Sequence, residues 1–195
     1  MRNPHSIDAL KQVERFPRAA LAAFLLAGLA VAIVAGNALA ASTNLVKNGS
    51  FEKDSNGDGV PNQWTGINLT PADKRVCNQS KAGSCSFKMV GDGTTKYLYQ
   101  VIAVSGGSGN EFNLSAWTKG KNITGGLAYV YVQFNHTGGG VNNVLITIPA
   151  GTSPWTLRQE PATAAADFDS ITIALQLNAD SGKVWVDKVI LVPVP

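Results

Sequence analysis

Apolar side chains recur at every second position along much of the chain after residue 41. In one run Phe112, Leu114 and Ala116 alternate with polar or aromatic neighbours, and the same period of two continues through residues 127–134 and 171–178. Successive side chains of a β-strand point to opposite faces of a sheet, so each run has one face for a core and another for a different contact. The pattern predicts strands and no long amphipathic helix.

The same pattern predicts further strands at 86–90, 96–103, 144–149, 157–160 and 183–192. Stretches of turn-forming residues separate the runs, at 104–110, 137–140 and 180–182. Eight or more short strands at near-regular spacing are typical of an antiparallel β-sandwich. The predicted fold class is therefore all-β, an antiparallel sandwich, with the jelly roll as the preferred topology. Periodicity alone leaves an immunoglobulin-like sandwich open.

The first forty residues have a different character. Four basic residues precede an uncharged apolar run over 19–36, which Ala38, Leu39 and Ala40 follow. This order is typical of a secretory signal peptide that is cleaved after Ala40. A retained anchor is the alternative, because the run has the minimum length for a membrane-spanning helix. We expect a signal-peptide helix at 1–40, one domain at 41–195, no membrane contact after cleavage, and a secreted or cell-surface location.

The charge balance of the predicted mature chain is nearly neutral. Of the 16 Lys and Arg residues, four lie in the leader, and of the 13 Asp and Glu residues, two do, which leaves a net charge of about +1. Nucleic acid binding needs a clustered basic surface, so this balance argues against a nucleic acid partner.

Two cysteines, Cys77 and Cys85, follow the leader with seven residues between them. An even pair in an exported chain predicts a local disulfide that closes one loop. Such a closure contributes roughly 2–3 kcal/mol to stability.

Candidate catalytic groups are sparse. His136 is the one histidine after the leader, and it follows Asn135 in a polar turn with no nucleophile motif nearby. Glu111 and Glu160 are carboxyl groups that glycoside cleavage could use, but both lie at predicted strand ends, where a solvated charge is the ordinary role. We therefore predict that the chain is not an enzyme.

Three segments of the predicted domain resemble a known family. Residues 44–52, reading NLVKNGSFE, are similar to the opening of carbohydrate-binding modules of the family 4, 9, 16 and 22 group. Residues 112–119 resemble the central strand of that group, residues 184–191 its closing strand, and the segment from Cys77 to Gly91 also resembles secreted bacterial proteins with this domain. The resemblance spans 44–192 and implies a galactose-binding-domain-like jelly roll.

The resemblance also implies a structural calcium ion, held by Glu52 of the opening segment and Asp187 of the closing strand. Ca²⁺ takes several hard oxygen ligands, so two carboxylates from opposite ends of the domain would bind the ion and join the termini. The alternative is that both residues pair with lysines or cap turns.

A second group of oxygens, Asp54, Asn56 and Asp58, fits the D-x-[DN]-x-[DN]-G start of a calcium loop. The twelfth position of that loop would be a bidentate Glu and is Thr65 here. An ordinary surface turn explains the same residues equally well.

Strand parity assigns six aromatic and amide side chains to faces that point away from the core: Trp117, Tyr129, Tyr131, Gln133, Gln176 and Asn178. If their strands share one sheet, rings and amides lie together, which is the combination that sugar recognition needs. Trp64, Trp155 and Trp185 are expected to be packing residues, with Trp155 in a loop.

Two functions follow. The first is a secreted, non-catalytic module that binds a polysaccharide or glycan and works beside a separately encoded glycoside hydrolase. The second is a structural or adhesive β-sandwich of the cell envelope without sugar binding. A binder should leave the face of Tyr129, Tyr131 and Gln133 open, whereas a scaffold should bury it.

Overall fold

The computed structural model describes residues 43–195, which form two antiparallel sheets of five strands each. The predicted signal peptide at 1–40, its cleavage point and its helix lie outside the described residues. The strands in chain order are β1 (Thr65–Ile67), β2 (Lys74–Val76), β3 (Ser86–Val90), β4 (Lys96–Ile102), β5 (Glu111–Thr124), β6 (Leu127–His136), β7 (Val141–Ile148), β8 (Gly151–Thr163), β9 (Phe168–Asn178) and β10 (Ser181–Pro193). Over 43–195 no helix is long and apolar enough to cross a membrane.

The strands alternate between the two sheets in a jelly-roll sandwich. Sheet A has the order β1-β4-β9-β6-β7, and sheet B has the order β2-β3-β10-β5-β8. The connections β4–β5, β5–β6, β8–β9 and β9–β10 each pass from one sheet to the other. This confirms the predicted all-β antiparallel sandwich.

The core lies between the sheets and consists of the alternate side chains that periodicity predicted. Phe112 and Leu114 of β5 and Val130 and Val132 of β6 have no exposed surface. The Phe112 ring lies 5.5 Å from that of Phe134, measured between centroids. Full burial of one such side chain contributes about 1.5–3 kcal/mol, so the period of two is the main determinant of the sandwich.

The structure corrects one boundary that the sequence placed wrongly. Trp155 was expected in a loop, but it lies within β8, which pairs with β5 from Gly151 to Thr163. Pro154 misled the prediction. β8 is the edge strand of sheet B, and a proline at an edge breaks no ladder hydrogen bond when its nitrogen points away from the neighbour. The three-residue strands β1 and β2 were missed because they are too short to show a period.

The two ends of the described chain are joined side by side. Leu45 N donates to Leu191 O at 2.9 Å, and Leu191 N donates to Asn44 Oδ1 at the same distance. Val189 N donates to Gly49 O at 2.8 Å. These bonds bring the opening segment, which carries Glu52, against β10, which carries Asp187.

Candidate functional site

Four tyrosines lie on the outer face of sheet A, the face turned away from the core. Strand register places Tyr97, Gln176 and Tyr129 in one row across β4, β9 and β6. The next row is Tyr99, Ala174 and Tyr131. We call this surface the tyrosine face; it consists of Tyr97, Tyr99, Tyr129, Tyr131, Gln133, Ala174, Gln176 and Asn178. Because Ala174 has only a methyl group, the second row is lowest at its centre.

Six of the eight side chains of the tyrosine face are buried, and Tyr99 and Asn178 are half-buried. Tyr131 is 0% exposed, Tyr129 is 8% and Gln176 is 3%, whereas Val101 at the margin is 58% exposed. Burial raises the pKa of Tyr129, and burial together with the charge of Tyr97 raises that of Tyr131. Both hydroxyls therefore stay neutral at physiological pH and are able to donate hydrogen bonds.

Some amide atoms beside the rings have hydrogen-bond partners, and one buried amide oxygen has none. Gln133 Nε2 donates to Asn135 Oδ1 at 2.7 Å, and Asn135 in turn donates to Ser170 Oγ and Thr172 Oγ1, each at 3.1 Å. Gln176 Oε1 is buried and has no hydrogen-bond partner. A buried acceptor without a partner costs about 1–3 kcal/mol, so this oxygen is a point where a bound hydroxyl would add stability.

Trp117 does not belong to this surface, which corrects the prediction that placed it with Tyr129 and Tyr131. Its strand, β5, lies in sheet B, so its ring is on the opposite side of the sandwich. There the Lys81 ammonium lies 4.4 Å from the ring centroid. Alternation shows which residues share a face of one strand, but it does not show which sheet receives that strand. The rings that the sequence missed are Tyr97 and Tyr99, whose alternation with buried Leu98 was a usable signal.

Glu52 and Asp187 both accept hydrogen bonds from the loop 77–85. Asp187 Oδ2 accepts hydrogen bonds from the backbone nitrogens of Lys81 at 2.7 Å and Ala82 at 2.8 Å. Glu52 Oε1 accepts from Ser84 at 2.9 Å and Cys85 at 3.1 Å. The loop is closed by the predicted disulfide, Cys77–Cys85, which the structure confirms with an S–S distance of 2.04 Å. The cysteine pair therefore fixes four donors around two carboxylates.

The same carboxylates retain oxygens that face no donor. Asp187 is fully buried, and its Oδ1 has no hydrogen-bond partner. Burial raises the pKa of Asp187 against the backbone hydrogen bonds that lower it, and the charge of Glu52 raises it further. A cavity of about 470 Å³ opens here, with Glu52, Asn48, Ser50 and Lys188 among its lining residues.

This donor set fits a calcium ion. Asp187 Oδ1 is buried and has no donor, and the charge of the Glu52 carboxylate acts on Asp187. Both carboxylates are hard, anionic ligands of the type that Ca²⁺ prefers. Among residues 43–195 there is no cluster of three or more His, Cys, Asp or Glu that could hold a metal. An ion at Glu52 and Asp187 would therefore need backbone carbonyls or water to complete its shell.

The second oxygen group has the geometry of a turn. Asp54 Oδ1 accepts from Gly57 N at 3.0 Å and Oδ2 from Gly59 N at 3.1 Å. Asn56 Nδ2 donates to Asp58 Oδ2 at 2.8 Å, and Asp58 Oδ1 accepts from Val60 N at 2.7 Å. The bond from Val60 N to Asp58 Oδ1 is that of an Asx turn, the others close the same short loop, and the alternative that treats the segment as a surface turn accounts for them. Calcium binding by Asp54, Asn56 and Asp58 stays a prediction.

Comparison with solved structures shows several with the same fold. A family 16 carbohydrate-binding module aligns with a TM-score of 0.59 and 22% identity, over 76% of this chain and 99% of that one. The fold is that of jelly-roll carbohydrate-binding modules. TmCBM61, solved in complex with β-1,4-galactotriose, aligns with a TM-score of 0.56 and 17% identity, over 78% of this chain and 100% of that one.

A third solved structure with this fold is the CBM22-1 xylan-binding domain of Paenibacillus barcinonensis Xyn10C. It aligns with a TM-score of 0.52 and 12% identity, over 79% of this chain and 96% of that one. No protein-family model matches the chain, and no curated protein matches it either.

Proposed function

We propose that the protein is a secreted, non-catalytic carbohydrate-binding module whose tyrosine face binds a polysaccharide or glycan. The observation that carries the proposal is the buried, unpartnered Gln176 Oε1 set in a row between Tyr97 and Tyr129. Two solved proteins that share the fold support it, since one was crystallised with β-1,4-galactotriose and the other is described as a xylan-binding domain.

Binding would use contacts and no covalent chemistry. The C–H faces of a pyranose ring are apolar and pack on the rings of Tyr99 and Tyr129, while sugar hydroxyls donate to Gln176 Oε1 and accept from neutral tyrosine hydroxyls. Ala174 is the smallest side chain of its row and is fully buried, so a sugar would enter between the rings of Tyr99 and Tyr131 only when one of them moves. In this role the module would hold a substrate for a separately encoded glycoside hydrolase.

Calcium at Glu52 and Asp187 is part of the proposal. The ion would neutralise the buried Asp187 carboxylate and tie the opening segment to β10 through the loop 77–85. It would stabilise the fold without contacting the glycan, because Asp187 belongs to sheet B and both carboxylates contact the loop 77–85, away from the tyrosine face of sheet A.

A structural envelope domain remains the second candidate, because Tyr131 is 0% exposed. By the criterion of an open face, complete burial of that ring favours a scaffold over a binder. The exposed margin at Val101 favours a binder, since a filled face would have no such edge.

Affinity electrophoresis over a panel of neutral soluble polysaccharides separates the two candidates. Tyr129→Ala should abolish the retardation that one polysaccharide causes, because it removes a ring that is still partly exposed. Trp117→Ala is the matched control, since it removes a ring from the opposite sheet and should leave retardation unchanged. Absence of retardation by every polysaccharide would favour the scaffold, and equal retardation of wild type and Tyr129→Ala would refute the assigned face.

A further inference from the structure

The outer face of sheet B carries a concentration of positive charge. Five lysines and Trp185 lie together on this face, beside Trp117 of β5: Lys74, Lys88, Lys119, Lys121, Lys183 and Trp185. We call the surface formed by these six side chains the lysine face. A net charge near zero therefore did not exclude a clustered basic surface, because these five lysines lie on one side of the sandwich.

One row of the lysine face runs across four strands. Lys74 of β2 is the cross-strand neighbour of Lys88 of β3, which neighbours Trp185 of β10, which neighbours Lys119 of β5. Neighbouring strands lie about 4.8 Å apart, so the row extends over about 14 Å. In the adjoining row Lys183 stands opposite Lys121.

These lysines repel one another, and within residues 43–195 none of them forms an ion pair. Like charges on directly opposed residues destabilise a sheet. Burial lowers the pKa of Lys88, and the charges of Lys74 and Lys183 lower it further, while the charge of Asp73 raises it. Within residues 43–195 the ion pairs are those of Lys96, so none of the five lysines forms one. A bound polyanion would remove this repulsion.

Trp185 gives the lysine face a second binding element. Its side chain is 7% exposed, and its Nε1 is buried without a hydrogen-bond partner. The Lys119 ammonium lies 5.5 Å from the ring centroid and donates to Gln79 Oε1 at 2.7 Å. An indole donor therefore lies unused between Lys88 and Lys119, where an oxygen of a ligand would satisfy it once the lysine chains move aside.

We propose that the lysine face binds an acidic polysaccharide, a chain of uronate or sulfated sugars, at a site separate from the tyrosine face. Lysine presents a point charge with three donors, which suits carboxylate and sulfate groups that repeat along a flexible chain. The strand spacing is close to the length of one pyranose in an extended chain, so acidic sugars along one chain reach Lys74, Lys88 and, beyond Trp185, Lys119.

Nucleic acid fits this surface less well. Single-stranded nucleic acid needs open aromatic rings on which bases stack, but Trp185 is covered and the Lys81 ammonium lies 4.4 Å from the centroid of the Trp117 ring. Duplex recognition uses a helix or a β-ribbon that enters a groove, whereas the lysine face is the flat side of a five-stranded sheet.

The test is affinity electrophoresis of the protein in polygalacturonate and, in a second gel, in its fully methyl-esterified form, which has the same backbone without the charge. We expect retardation by polygalacturonate that weakens as sodium chloride is raised, and none by the ester. The variant Lys74→Gln/Lys121→Gln removes two exposed lysines and should weaken binding about tenfold, as expected for the loss of two solvent-exposed charge contacts. Lys47→Gln/Lys53→Gln, which removes the same charge away from the face, should not.

Each other outcome decides the matter. An equal loss of polygalacturonate binding in the two double variants would overturn the proposal, and so would equal retardation by polygalacturonate and its ester. If a single-stranded oligonucleotide bound more tightly than every acidic glycan, the lysine face would instead be a nucleic acid site. Retardation by heparin but not by polygalacturonate would support the site and assign it to sulfated chains. Neutral-glycan binding by the lysine variant should match wild type, so failure at one face leaves the other untouched. Thermal unfolding of both variants checks that each is folded.

Discussion

Replacing Asp187 with asparagine should have opposite effects on stability with and without calcium. In the absence of the ion the carboxylate is fully buried, and its Oδ1 has no partner. Asp187→Asn keeps the shape and an oxygen for the nitrogens of Lys81 and Ala82, while it removes the buried charge. Because the buried charge has only backbone donors and no cation beside it, and the Glu52 charge opposes it, we expect its removal to give a gain of about 1–2 kcal/mol in chelator.

In calcium the order should reverse. A ligand that binds only the folded state at a hundred times its Kd stabilises that state by about 2.7 kcal/mol, and Asp187→Asn loses most of this. Thermal unfolding by calorimetry measures both conditions, and for a domain of this size each kcal/mol corresponds to roughly 2–4 °C in Tm. The variant should melt about 3–6 °C above wild type in chelator and below it in calcium. The same order in both conditions would refute the assigned calcium site.

The pH dependence without calcium has a defined sign. The pKa of Asp187 is raised in the folded state above its usual 3.8, because of burial first and then the Glu52 charge. The folded state therefore binds more protons than the unfolded state between the two values, and stability should fall as pH rises through that interval. Urea titrations of wild type and Asp187→Asn in chelator at several pH values test this dependence. The variant has no carboxyl group at this position, so its free energy of unfolding should lack this fall with rising pH.

Two further predictions concern the loop and the buried ion pair. Reduction of Cys77–Cys85 frees the loop that holds both carboxylates, so calcium affinity measured by isothermal titration should fall at least about tenfold, corresponding to about 1.4 kcal/mol; unchanged affinity would show that the loop holds its shape without the bond. Lys96→Met should destabilise the fold by about 3 kcal/mol in urea unfolding, because Lys96 Nζ lies 2.8 Å from the buried Asp73 carboxylate. A loss below about 1 kcal/mol would contradict this. Burial raises the pKa of Asp73, but the hydrogen bonds to its carboxylate lower the pKa by more, so the net shift is downward. The stability that Asp73 contributes is therefore present above its usual pKa of 3.8 and is lost as the pH falls below that value.

The sequence predicted whatever depends on alternation within one strand. Val130 and Val132 point into the core and Tyr129 and Tyr131 away from it, because the period of two leaves no other assignment once one face must be buried. Alternation carries no record of partners between strands. It therefore could not place Trp117 in the opposite sheet, nor bring Lys74, Lys88 and Lys119 into one row.

The carboxylate site was predictable from resemblance in its residues but not in its support. Glu52 and Asp187 were named from motifs at the ends of the domain, and the disulfide from the even pair of cysteines. Nothing in the sequence indicated that the loop between Cys77 and Cys85 donates to both carboxylates. The hydrogen bonds from this loop to Asp187 join residues more than a hundred positions apart and form only when the sheets pack together.

The most direct test of sugar binding by the tyrosine face is isothermal titration of Gln176→Met against wild type with the neutral polysaccharide that retards the protein most. Gln176 Oε1 is buried without a partner, so replacing the amide with a thioether of similar size should leave the folded state as stable as wild type or more so. Binding should weaken about tenfold, about 1.4 kcal/mol, because the ligand loses its acceptor. Equal affinity of the two proteins for that polysaccharide would contradict the claim that the tyrosine face is where the sugar binds.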